Sequence, residues 1–174
     1  MMKRMMLLLL ALVMTAGLLA ACGGDTGNAG DESKDVDLTA LYEGWCETYD
    51  WTEDAQSGGD NTLMLMDLEG ETLEGYYPGL SELASKQLVA KAPMISAVVN
   101  EIVLVQCETE EDAAKAAAIL QDRADAQAEG GAFYPESMET WSRATVLQQG
   151  TYVALIASAE HQEDLETSFN EQFD

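Results

Sequence analysis

Two apolar runs limit the folds open to this chain. Glu101 to Glu108 reads EIVLVQCE, and YVALIASA follows Thr151. The first is rich in β-branched residues and reads as a central strand of a sheet, and the second reads as another strong strand. Thr145 to Gln149 and Thr151 to Ser158 form a hairpin through Gly150. Leu83 to Ala92 is a third strand region, with Lys86 and Lys91 marking it as an edge, where lysine discourages pairing with other chains.

Helical periodicity fills the spaces between the strands. Leu38, Leu41, Tyr42, Trp45 and Tyr49 make one apolar stripe over Val36 to Asp50. Glu71 to Tyr77 is a short helix stopped by Pro78-Gly79. Thr109-Glu-Glu-Asp112 resembles a capping box, and the small-residue face it opens runs from Ala113 to Ala128 before Gly130-Gly131 ends it. Pro135 starts another helical piece, and Glu160 to Phe173 closes the chain as a helix through Leu165, Phe169 and Phe173. The resulting class is α+β: a small, mainly antiparallel sheet of about four strands with helices packed on one face. If strands 101–108 and 145–149 are neighbours, the crossover between them makes them parallel.

The N-terminus carries a different signal. Lys3 and Arg4 precede an apolar stretch from Leu7 to Leu19, which is short for a membrane span of about 20 residues. Leu19-Ala20-Ala21-Cys22 follows and resembles the lipobox of bacterial lipoproteins. That resemblance implies cleavage between Ala21 and Cys22 and a diacylglycerol thioether on Cys22. An ordinary secretory signal and an uncleaved membrane helix are the plainer alternatives. Residues 1–21 are thus expected to be a signal peptide and 22–35 an acidic, glycine-rich tether. Residues 36–174 then form one domain. The tether has no large apolar residue before Val36, and as a flexible coil it spans about 20 Å. The expected location is the outer face of the cytoplasmic membrane.

Without residues 1–21 the chain has 6 basic and 32 acidic residues, a formal charge of −26. Nothing so acidic offers the basic stripe that nucleic acid requires, and anionic lipid is disfavoured as a surface to lie on. The expected partners are the membrane, through the lipid on Cys22, and an envelope protein or cell-wall component.

Three segments together resemble a family of small lipoproteins of Gram-positive, clostridia-like bacteria catalogued as a domain of unknown function. They are YYPG (Tyr76 to Gly79), APMIS with NEIVLV (Ala92 to Ser96, Asn100 to Val105), and QQGTYVALIAS (Gln148 to Ser158). The resemblance covers residues 36 to 173. It implies a cell-envelope lipoprotein and brings no catalytic or binding residues with it.

The residues themselves offer little chemistry. His161 is the one histidine, so a histidine-rich zinc site is excluded, and no G-x-S-x-G elbow exists. A calcium loop is missing too, Asp67-Leu-Glu69-Gly70 being a fragment of one. No metal or cofactor is expected. Cys46 and Cys107 are either a disulfide pair or two buried thiols. Candidate ligand contacts are Trp51, read as an exposed aromatic just past the first helix, and the pair Tyr76-Tyr77. The leading expectation is a non-enzymatic binding or accessory module. The alternative is a small surface hydrolase using paired carboxylates, which only geometry can distinguish.

In growing cells fed a radioactive fatty acid, the chain should take up label and Cys22→Ser should lose it. Unchanged labelling of Cys22→Ser would contradict the assignment of the lipid to Cys22.

Overall fold

The computed structural model describes residues 34–51, 63–95 and 97–174, and Glu32–Asp174 cluster as one compact unit. The expected signal peptide, Cys22, most of the expected tether and the glycine-rich stretch at 56–61 lie outside the described residues. The elements run α1 (Leu38–Tyr49), β1 (Leu65–Asp67), α2 (Gly70–Tyr76), β2 (Ser85–Pro93), β3 (Asn100–Cys107), α3 (Glu110–Ala126), α4 (Pro135–Trp141), β4 (Thr145–Gln149), β5 (Tyr152–Ser158) and α5 (Gln162–Glu171). The described strands form one antiparallel sheet in the order β1-β2-β3-β5-β4. The α+β class and the antiparallel sheet therefore hold, with five strands instead of about four.

The expectation of helices on one face does not hold. Every residue of β3 and of β5 is buried. Val103, Val105 and Cys107, with Val153, Leu155 and Ala157 of β5, pack under α2, α3 and α4. Ile102 and Leu104, with Tyr152, Ala154 and Ile156, point the other way, into a second core with Leu38, Tyr42 and Trp45 of α1 and Leu165 and Phe169 of α5. A strand whose apolar run does not alternate with polar residues has two faces to cover, so helices must lie on both. Residues 103 and 155 are register partners, as are 102 and 156, which keeps each face coherent across the central pair.

Sheet order accounts for two further differences. β5 lies between β3 and β4, so β3 and β4 run parallel but are not neighbours. β2 is an interior strand only where β1 covers it, at Lys91, Ala92 and Pro93. Lys91 bonds Asp67 of β1 at 2.9 Å, so it belongs to the covered half, while Lys86 sits in the open half.

Local signals set the helix ends. The Asp37 side chain accepts from the Ala40 N–H at 3.0 Å and starts α1. The Thr109 hydroxyl accepts from the Asp112 N–H and starts α3. Ala113, Ala116, Leu120 and Ala124 form the buried face of α3, and the three alanines let the helix approach the sheet closely. Gly150, at φ 58°, makes the first residue of the two-residue turn between β4 and β5.

At the start of the domain a polar cluster fixes the entry of the chain. The Tyr152 hydroxyl accepts from the Val36 N–H and from Gln106 Nε2, and the Leu38 N–H donates to Gln87. Val36 to Leu38 are thereby tied to β2, β3 and β5. Cys46 and Cys107 are not joined in a disulfide. Cys107 lies in the α3-side core and Cys46 packs against the α1-side core, so the central sheet separates them and the expected disulfide option is overturned.

Candidate functional site

The residues that converge at one end of the sheet begin with an acid that the strand pattern cannot avoid burying. Glu101 is the second residue of β3 and faces the α3 layer, with its side chain 4% exposed. A buried carboxylate needs charge and hydrogen bonds from its surroundings. α3 supplies them from its fourth turn. Arg123 Nε donates to Glu101 Oε1 and Nη2 to Oε2, each at 3.0 Å, a two-pronged pairing that suits a planar guanidinium. The Tyr77 hydroxyl also donates to Glu101 Oε1.

Tyr77 is fully buried at the end of α2, where its backbone N–H bonds the Leu73 carbonyl. Burial pushes its phenol well above the ordinary tyrosine pKa, and the negative charge of Glu101 adds to the shift. The hydroxyl therefore stays protonated and remains a donor. For Arg123, burial works against the charge, and the bond and charge of Glu101 outweigh it and hold the guanidinium above its usual pKa. Its carbon lies 4.5 Å from the Tyr76 ring centroid and 5.4 Å from that of Trp141, so two aromatic faces flank the cation.

Above this floor is a cleft of about 190 Å³. One wall is the β2–β3 loop, with Met94 and Val98. The other follows α3, where Gln127–Gly131 forms a wide turn and the chain returns through Ala132 and Phe133. Glycine is needed at that turn: Gly130 has φ 124°, and a Cβ on Gly131 would come within 2.7 Å of the Ala126 carbonyl oxygen. The result is an apolar rim. Phe133 is 80% exposed and Met94 62%, and Ile95, Val98 and Tyr134 are also exposed. Five of the six exposed large apolar side chains among the described residues sit on these two loops. The Phe133 and Tyr134 rings meet edge to face at 5.1 Å.

The sequence candidates fall differently. Tyr76 lines the cleft, and Tyr77 lies beneath it as a donor to Glu101. Trp51 is buried, contrary to its reading as an exposed contact. Asp50 closes α1 in a left-handed conformation, the Trp51 N–H bonds the Cys46 carbonyl, and the ring turns back to 5.4 Å from Tyr49. His161 stacks on Tyr49 at 4.0 Å. The sequence reading did not single out Glu101, Arg123 or Phe133. The available signal was an acid opening an apolar strand in a chain with one other arginine after residue 21, Arg143. Among the described residues no group of three or more histidine, cysteine or acidic side chains is placed to hold a metal ion, and no helix is long and apolar enough to cross a membrane.

Fold and cleft together define a small α+β domain with an apolar-rimmed recess over a buried ion pair. Residues 57–158, from before β1 to the end of β5, match the model of a domain of unknown function, DUF4358, and the chain belongs to that family. The cleft lies wholly within the matched span. Neither curated proteins nor solved structures yield a match to the chain.

Removing one partner of a buried pair costs roughly 3–5 kcal/mol, whereas replacing both with apolar groups of similar volume is often neutral. Arg123→Met should therefore lose about that much stability in urea unfolding, and Glu101→Leu/Arg123→Met should regain most of it. A loss below about 1 kcal/mol in Arg123→Met would contradict a structural role for the pair.

Proposed function

We propose that the chain is a lipid-anchored, extracytoplasmic binding module of a Gram-positive, clostridia-like cell envelope, and that its recess takes an apolar side chain of an envelope protein. The anchor rests on the pattern from Lys3 to Cys22, with the tether holding the domain near the membrane. The observation that carries the binding reading is the gathering of exposed apolar side chains around a recess of about 190 Å³. Small-molecule sites usually run to about 300–1,000 Å³, so this recess suits one side chain better than a whole solute. Apolar patches with polar surroundings mark protein contacts, and aromatic residues and methionine are favoured in the centres of such contacts. A polar cell-wall glycan would gain little from Met94, Val98 and Phe133.

The hydrolase alternative needs two carboxylates at separations of about 5 Å or more, both able to reach substrate. Glu101 is the acid on the cleft floor, and Arg123 and Tyr77 occupy its oxygens. At the recess, geometry thus favours the binder.

A photo-crosslinking amino acid placed at Phe133 or at Met94 in intact cells should give the same discrete adduct from both positions. The same amino acid at Thr48, an exposed position on α1, should not give it. Equal patterns from all three positions would contradict a dedicated contact at the recess.

A further inference from the structure

A second surface is independent of the recess and shares no lining residue with it. It is a groove of about 680 Å³ running along the uncovered half of β2. β1 covers β2 only from Lys91 to Pro93, and beyond that the Leu68 N–H donates once more, to the Ala90 carbonyl, at 2.9 Å. The chain then leaves the sheet through Gly70, at φ 51°, into α2. Backbone groups alternate in direction along an antiparallel strand. The Ala90 carbonyl points toward β1, and the register from Gln87 to Lys91 is unbroken. Leu88 therefore turns both its N–H and its carbonyl to the same side, where no described strand pairs with it. Its side chain is itself exposed.

The groove has two walls. α1 contributes Glu43, Cys46 and Glu47 on one side, and Glu69 of the β1–α2 turn and Leu73 of α2 lie on the other. The floor is the β2 edge. The open edge thus lies in a slot that continues the line of β1. Walls on both sides admit one extended chain and obstruct the edge of a second sheet. At the far end, Lys86 and the irregular register between Ser85 and Gln87 discourage strand pairing between copies. Charge selects the occupant. Glu43, Glu47 and Glu69 face the slot with no described cation bonded to them, while Lys91, the one basic residue among the described residues lining it, is bonded to Asp67.

We propose that this slot binds an extended basic peptide segment as an added strand, with main-chain hydrogen bonds to Leu88 and side-chain contacts to Glu43 and Glu47. Strand addition draws affinity from backbone pairing and specificity from the flanking side chains. The residue opposite Leu88 is paired through its own N–H and carbonyl, and lysine or arginine side chains on the α1 side reach the two glutamates.

The probe is a fluorescent eight-residue peptide of alternating lysine and valine, measured by anisotropy against the full chain in detergent micelles at low salt. A peptide of the same sequence and charge, N-methylated at alternate residues, cannot pair as a strand. It should bind at least about tenfold more weakly. Leu88→Pro removes the outward N–H without touching a β3 bond and should weaken the unmodified peptide to a similar degree, as should Glu43→Lys/Glu47→Lys. Circular dichroism should show both variants folded; a Leu88→Pro variant that does not fold leaves the methylated peptide and the charge reversal to decide. Equal binding of the methylated and unmodified peptides would overturn the proposal, as would no binding of the basic peptide. A concentration-dependent dimer that Leu88→Pro dissolves would overturn it too, by giving the edge to a second copy.

Discussion

Everything in this fold follows from the burial of β3 and β5 on both faces. Two adjacent strands with apolar side chains above and below cannot sit at a surface, so each face needs a helical layer. α3 and α4 with α2 make one, and α1 with α5 makes the other. The chain reaches both layers because α1 precedes the sheet and α5 follows it, while α3 and α4 lie within the long connection from β3 to β4. Leu104 and Leu155 are fully buried, and each such side chain contributes about 1.5–3 kcal/mol relative to exposure.

The same constraint creates the polar floor of the recess. Glu101 occupies a position in β3 whose side faces the α3 layer, so it must be buried with the valines that follow it on that side. Arg123 from α3 and Tyr77 from the end of α2 complete it. Tyr76 and Trp141 then flank the guanidinium. Five groups from α2, β3, α3 and α4 are held in one arrangement, and the two apolar loops are built over them. The recess is rigid below and apolar above, which suits an interaction surface. At the other side of the sheet, the shortness of β1 leaves an edge that the two helical layers wall in without covering.

Much of this was legible before the structure. The α1 stripe, the Thr109 cap, the glycine turn between β4 and β5 and the central place of β3 are local signals, written within one or two turns of helix or along one strand. The features that were not legible are non-local. Nothing near Cys46 or Cys107 tells which face each will occupy, and the sheet between them settles it. Trp51 follows a helix in sequence, yet the left-handed Asp50 turns it back into the core. Glu101 and Arg123 are separated by most of α3, so their pairing depends on how that helix crosses the sheet. The exposure of Met94 and Phe133 likewise depends on two loops meeting from opposite ends of separate elements. The family model covers β1 to β5 and so includes the recess, but carries no assigned role with it.

Site-resolved amide hydrogen exchange tests the central claim most directly, because one measurement reads both the doubly covered strands and the uncovered edge. The amides of Leu104 and Leu155 should exchange only through global unfolding, while that of Leu88 should exchange orders of magnitude faster under the same conditions. Protection of Leu88 equal to that of Leu104 would mean that the edge is covered. Rapid exchange at Leu104 would mean that the strand pair is not enclosed on both faces, and either result would contradict the account.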